Sequence, residues 1–174
     1  MGVAVIACQK DEECYIREWV EWHFHLGVEH IYIVDNNSTD KNDLLCDVLR
    51  DYVDQARVTI KNYRGVHPIQ PFCYDEVYQE VKFLHDWFYI CDIDEFLHIP
   101  KYDDDINLLM ENYQYCDSLF INWVDYDDNG LIYQDDRPVQ ERFTHKASSP
   151  YSDKGKSIIK GRMRYTINHQ HDPF

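Results

Sequence analysis

The chain is short of cations. Lysine and arginine total 17 against 32 aspartates and glutamates in 174 residues, a formal charge of −15. Such a field repels a nucleic-acid backbone unless a local patch overrides it. The richest basic stretch, residues 154–164, is long enough for a single diphosphate and too short for a duplex footprint. Long apolar runs are missing as well. Nothing approaches the roughly 20 residues a membrane helix needs, and the opening run Val3–Cys8 lacks the length and basic flank of a signal-peptide core. Residue 6 is Ile, not Ser or Thr, which argues against myristoylation at Gly2. The cysteines Cys8, Cys14, Cys46, Cys73, Cys91 and Cys116 form no Cys-x-x-Cys pair and no zinc-type spacing. Several sit in apolar runs, where a thiol behaves as a small hydrophobe. These absences lead to the expectation of a cytoplasmic protein with no nucleic-acid partner and no transmembrane segment, peripheral membrane contact staying open.

What is present reads as one globular domain, residues 1–174, with 44% hydrophobic residues, frequent aromatics and no repeat or low-complexity tract. Apolar strands at Val3–Cys8, Ile31–Val34 and Arg57–Lys61 alternate with helical patterns near 13–26, 41–53 and 74–85. Gly27 is placed to cap the first helix. Alternation of this kind predicts βαβ units around a mainly parallel sheet. Residues 62–72, with Gly65, Pro68 and Pro71, read as a loop. Later come a helix near 106–113, a strand at 118–124, a Pro- and Ser-containing loop, and two short strands near 157–160 and 164–167.

The most informative segment is Trp87–Phe96. Five apolar or thiol residues suit a buried strand, and the chain then meets Asp92, Asp94 and Glu95. In an extended segment Asp92 and Asp94 share a side. Two carboxylates at the mouth of a sheet repel each other, and a hard divalent cation is the simplest partner for both. Ligands also bind at the carboxyl ends of strands in open α/β sheets. The plainer alternative is a solvated acidic turn. A second polar cluster, Asp35–Asp40, follows the second strand. Its amides, hydroxyls and carboxylates suit a base edge or a ribose, and equally suit a helix cap.

These residues resemble the nucleotide-sugar glycosyltransferases of the GT-A type, in the family 2-like group related to family 92. The likeness begins with Lys10–Glu12, Glu18, Trp19, His23 and Val34–Asp40 and continues through Trp87–Leu97. Asn122, Trp123 and Tyr126–Gly130 follow, then Arg142, Phe143, Lys156–Lys160 and His171–Pro173, so nearly the whole chain is covered. It implies a GT-A (Rossmann-like) α/β fold with a mixed, mainly parallel sheet flanked by helices. The donor half would be about residues 1–100 and the acceptor side about 101–174.

The activity implied is metal-dependent transfer of a sugar from a nucleoside diphosphate, expected as a UDP-sugar, to a glycan or glycolipid hydroxyl. Lys10, Asp35 and Asn36 would contact the donor, although many relatives carry an aspartate where Asn36 stands. Asp92 would face the ribose and the metal shell, and Asp94 would bind Mn2+ or Mg2+ directly. His171, and behind it His169, would complete the ligands. Lys156 or Lys160 would meet the diphosphate, and Trp123 would offer a platform for a sugar face, unless it is simply core. An inverting transfer needs a base, here Asp128, with Asp127, Asp125 and Glu141 in reserve. Two rivals remain at this point: a haloacid-dehalogenase-type phosphatase using Asp92 and Asp94, and an inactive nucleotide-sugar-binding module.

Overall fold

The computed structural model describes residues 2–39, 44–65, 70–133, 136–164 and 166–167. Its centre is a six-stranded sheet in the order β3-β2-β1-β4-β6-β5. The strands β1 (Val3–Gln9), β2 (His30–Asp35), β3 (Val58–Asn62) and β4 (Trp87–Asp92) run parallel. β5 (Ser118–Tyr126) and β6 (Lys146–Lys160) complete the sheet, with β6 antiparallel to both β4 and β5. The mixed, mainly parallel architecture expected from the alternating pattern is therefore present. All seven residues of β1 are buried, as an interior strand covered on both faces requires.

Period-two alternation sends odd and even strand positions to separate cores. Val3, Val5 and Ala7 pack under α1 (Glu13–His25), with α2 (Leu44–Val48) and α5 (Ile106–Asn112) beside it. Ala4, Ile6 and Cys8 pack against α4 (Gln70–Val81). Helix α1 buries Ile16, Trp19, Val20 and His23, the stripe that its sequence spacing predicts. Gly27 follows at φ 86°, the left-handed conformation that ends many helices.

Three segments depart from the sequence expectation. The helix predicted over 41–53 is, among the described residues, two short helices, α2 and α3 (Arg50–Asp54). Arg17 Nη2 donates to the Val48 carbonyl at 2.5 Å, and the Tyr52 amide, whose helical acceptor that carbonyl would be, turns to Leu49 O instead. Helix α4 spans 70–81 and not 74–85, so Gln70–Phe72 is helix, not loop; Pro71 in its first turn forfeits only an amide that has no helical partner. Beyond Val81, the Arg162 amide bonds Lys82 O and the Gly161 amide bonds Asp86 O, capping the chain where a longer helix was expected. The predicted short strand at 157–160 is the inner end of the 15-residue β6; none of the described residues of 164–167 is strand. The Pro- and Ser-containing loop is thus largely the outer part of β6. Register shifts against β5 surround Pro150, where a missing amide is tolerated. Past the last β4 pair, Tyr89 with Ile158, β5 and β6 continue as a two-stranded arm.

His23 is fully buried against Trp19, with Nδ1 2.8 Å from the Trp19 carbonyl and no partner for Nε2. Burial drives its pKa down to about 4. The folded protein therefore holds it neutral, whereas the unfolded chain protonates near 6.5. Stability from this group is intact above pH 6.5 and declines as pH falls toward 4. We expect a loss of about 2 kcal/mol from this source between pH 7 and pH 5. In His23→Leu that increment should vanish from urea unfolding curves at the two pH values. An unchanged pH dependence would show that other groups cause it.

Candidate functional site

Parallel register brings the predicted polar residues to one edge. Gln9 pairs with Asp35 and Cys8 pairs with Asp92, so the three strand ends lie level. Between them opens a cleft of about 280 Å³ whose lining includes Gln9, Lys10, Glu12, Asn36, Asp92 and Asp94. Asp35 and Asp94 thus lie at the same end of the sheet, as one shared site requires.

Asp92 is held from several directions. Oδ1 accepts from Gln70 Nε2 at 2.6 Å and Tyr74 OH at 2.7 Å, and Oδ2 pairs with Lys156 Nζ at 2.6 Å. The alternation argument for Asp92 and Asp94 does not survive, because residues 92–95 form a turn. The Glu95 amide donates to Asp92 O, and the Asp92 amide donates to Glu95 Oε2. Both aspartates nevertheless line the cleft, and Asp94 stands exposed at its rim. The acids crowd one another. Asp94 is raised by lost hydration and then by Asp92. Glu12 is pushed up to about 7 by burial, with Asp94 and Asp92 adding to it, and Glu95 to about 8 by burial, which Lys156 opposes.

Asp35 is 1% exposed and committed inside the fold. Oδ2 pairs with Arg64 Nε at 2.5 Å and Oδ1 accepts the Ser38 amide at 3.0 Å. Ser38 Oγ in turn accepts from Gln9 Nε2 and the Asp11 amide. Asp35 therefore shapes the loop, while the neighbouring Asn36 lines the cleft, with Lys10 across from it on the β1–α1 loop.

The two lysines separate. Lys156 is 1% exposed, with Nζ also 3.6 Å from Glu95 Oε1 and 5.6 Å from the Trp123 ring, which is half-buried beside it. Lys160 pairs with Trp87 at the start of β4, the opposite end of the sheet, and its Nζ bonds Gln114 O at 3.1 Å. The expected diphosphate contact from Lys160 is thereby corrected: four residues along one strand carry it some 13 Å from Lys156 at about 3.3 Å each.

Asp127 and Asp128 lie exposed at the end of the β5 strand, on the arm. Asp127 Oδ1 accepts the Asn129 amide and Asp128 Oδ1 accepts the Gly130 amide. The turn is tied to the following segment by the Asp127 amide on His145 O and by Asn129 Nδ2 on Thr144 Oγ1. That segment contains α6 (Val139–Arg142), which docks on α1: Glu18 accepts the Val139 amide at 2.7 Å and the Gln140 amide at 3.2 Å. Asp125 is exposed on β5, and Glu141 lies in α6. His169 and His171 fall outside the described residues.

Sequence reasoning missed Gln70 and Tyr74, and gave Glu18 no role beyond the resemblance. The first two fall at i and i+4 of a helix whose start was placed too late, which hid their shared face. Among the described residues no three His, Cys, Asp or Glu side chains form a ready metal cage. The donor chemistry still suits a hard cation: Asp94 has an open carboxylate at the rim, and the charges of Asp94 and Asp92 add to the burial that raises Glu12. Asp94 has the carboxylate that could hold such an ion, whereas Asp92, already engaged by Gln70, Tyr74 and Lys156, has only residual lone-pair capacity. Among the described residues no helix is long and apolar enough to cross a membrane.

A family model described as Glycosyltransferase family 92 matches residues 4–174. A galactan beta-1,4-galactosyltransferase of Arabidopsis thaliana is 25% identical over 103 residues, 56% of this chain and 20% of that protein. A glycosyltransferase family 92 protein of Ricinus communis is 34% identical over 89 residues, 49% of this chain and 15% of that protein. The matched stretches thus span a fifth or less of these relatives. Among solved structures, a CMP:2-keto-3-deoxy-manno-octonic acid synthetase complexed with CTP superimposes with a TM-score of 0.45 at 9% identity, over 92% of this chain and 74% of that one.

Proposed function

We propose that this chain, which belongs to glycosyltransferase family 92, binds a nucleoside-diphosphate sugar at the carboxyl edge of its parallel strands and transfers the sugar to a hydroxyl of a glycan or glycolipid. The observation that carries the reading is the meeting of Asn36, Asp92 and Asp94 in one cleft of a family 92 domain. UDP is the expected nucleotide, since the Asn36 amide offers both a donor and an acceptor to a uracil edge. Lys10 adds positive charge on the facing loop.

Lys156 acts here through Asp92, fixing the carboxylate toward the donor, and not as a direct phosphate contact. Asp94, with Asp92 beside it, would hold Mn2+ or Mg2+. When bound, such an ion supplies charge neutralisation on the departing diphosphate. The phosphatase alternative would need Asp92 as a nucleophile, a poor role for a carboxylate already engaged by Gln70, Tyr74 and Lys156.

Asp128 is the candidate base for an inverting transfer, with Asp127 next to it. One Asp128 oxygen accepts the Gly130 amide, which leaves the other for the acceptor hydroxyl. Asn at this position keeps the turn, because its amide oxygen can accept the same bond, and removes the basicity. Asp128→Asn should therefore cut turnover by roughly 10²-fold or more with donor affinity preserved.

The test is a panel of nucleotide sugars with manganese, scored for nucleoside diphosphate release and for the anomeric configuration of the product. A galactosyltransferase among the relatives makes UDP-galactose the first donor to try. Binding without turnover of any donor would reduce the chain to a binding module. Retained configuration would remove the single-base scheme.

A further inference from the structure

Arg142 is the one buried arginine among the described residues, 6% exposed, and no carboxylate among them pairs with its guanidinium. Arg17 is paired with Asp51 at 2.8 Å, Arg64 with Asp35 at 2.5 Å, and Arg50 with Asp47. Arg142 instead lies over two rings, with Cζ 5.5 Å from the Tyr15 centroid and 5.2 Å from that of Phe143. Its Nε is buried without a hydrogen-bond acceptor. Glu18, the α1 carboxylate that touches α6, is spent on the Val139 and Gln140 amides. A buried, permanently charged group without a counter-ion is costly. Ring faces recover only part of that cost.

Its position supplies a reason for keeping the charge. The Tyr15 amide bonds Glu12 O at 3.0 Å, and Glu12 lines the cleft. Trp19, one turn on, donates its indole N–H to Glu95 O in the acidic turn. Arg142 thus packs on Tyr15, which follows Glu12 by three residues on the first turn of α1, while Trp19 on the next turn reaches the acidic turn. Meanwhile the other cations of this edge are taken. Lys156 serves Asp92 and Glu95, Arg64 serves Asp35, and Lys10 alone is exposed at the rim.

We propose that Arg142 is an anion-binding residue for the diphosphate, offering its guanidinium to pyrophosphate oxygens at the first turn of α1. A guanidinium matches two phosphate oxygens at once, which a lysine cannot do. The inference rests on the donor reading only for the identity of the molecule that carries the diphosphate.

The experiment compares wild type with Arg142→Met and Arg142→Lys by calorimetric titration with inorganic pyrophosphate, UDP and uridine in manganese buffer. Thermal melts of the ligand-free proteins accompany it. Arg142→Met should bind pyrophosphate and UDP about 10-fold or more weakly, leave uridine binding unchanged, and melt no lower than wild type, since an unpaired buried charge has been removed. Arg142→Lys keeps the charge without the fork and should fall between the two. Unchanged pyrophosphate affinity in Arg142→Met overturns the proposal. A lower melting temperature with intact binding makes Arg142 a structural residue and also overturns it. Should the Met variant fail to fold, the Lys variant decides: wild-type affinity in it counts against the fork. If UDP binds wild type and Arg142→Met equally, the donor reading stands and this one falls. If pyrophosphate binding depends on Arg142 while no nucleotide sugar is bound, the reverse holds. Wild type that binds none of the probes sinks both.

Discussion

Lys156→Met will destabilise the domain by about 3–5 kcal/mol, the range seen when one partner of a buried ion pair is removed. The side chain is 1% exposed, with Nζ 2.6 Å from Asp92 and 3.6 Å from Glu95, so its loss leaves Asp92 without its cation in a site already crowded with acids. The pH dependence has a definite sign. Glu95 is raised from 4.5 to about 8 by burial, and Lys156 works against that rise. A raised acid is held protonated in the folded state, so its contribution is present below pH 4.5 and is lost as pH climbs toward 8. In the variant the loss should continue beyond pH 8. Urea unfolding at pH 6, 7 and 8 measures it. Lys160→Met is the control, since that ammonium is partly exposed and should matter by less than about 1 kcal/mol. Equal losses in the two variants would mean that the Asp92–Lys156–Glu95 cluster is not the strut described here.

Asp94→Asn should abolish the manganese-dependent part of UDP binding and, with it, turnover. Asp94 is exposed at the rim, so the substitution removes a ligand and leaves the core untouched. Neutral amides are poorer ligands for hard divalent ions than carboxylates. The expected result is a UDP affinity that no longer responds to manganese, where wild type should gain roughly 10-fold or more. Folding stability should stay level or rise slightly, because Asp94 and Asp92 repel each other. A carboxylate signal from Glu12, placed at about 7 in wild type, should titrate lower in the variant, since burial and then Asp94 are among the causes that raise it. A full manganese response in Asp94→Asn would reassign direct ligation to another residue.

The first hundred residues were largely legible in the sequence because their order is local. Continuous apolar runs at 3–8 and 87–91 could only be interior strands, and the helical stripe through Ile16, Trp19 and His23 fixed which face of α1 meets the sheet. Parallel connectivity then placed Asp35, Asp92 and Asp94 at one edge without any contact being known. What stayed hidden depends on partners distant in the chain. Lys156 reaches Asp92 across 64 residues, and nothing near Lys156 marks it as buried. Arg64 takes Asp35 out of the cleft across 29 residues. Lys160 looked equivalent to Lys156 because both are lysines on one strand, yet antiparallel pairing sends them to opposite ends of the sheet. The outer part of β6 was mistaken for a loop because Pro150 and the serines argue against strand locally. Pairing with β5 alone, at shifted register, overrides that signal.

The restraints on Asp92 bear on the thermodynamics of ligand arrival. Three side chains and the turn to Glu95 already fix this carboxylate in the ligand-free chain, so its rotamer entropy is surrendered during folding and not at binding. Asp94 has no comparable restraint and must be ordered when a ligand comes, a cost of about 0.5–1.5 kcal/mol for an immobilised side chain. One carboxylate thus gives the cleft a fixed reference, and the other keeps the freedom to adjust its reach.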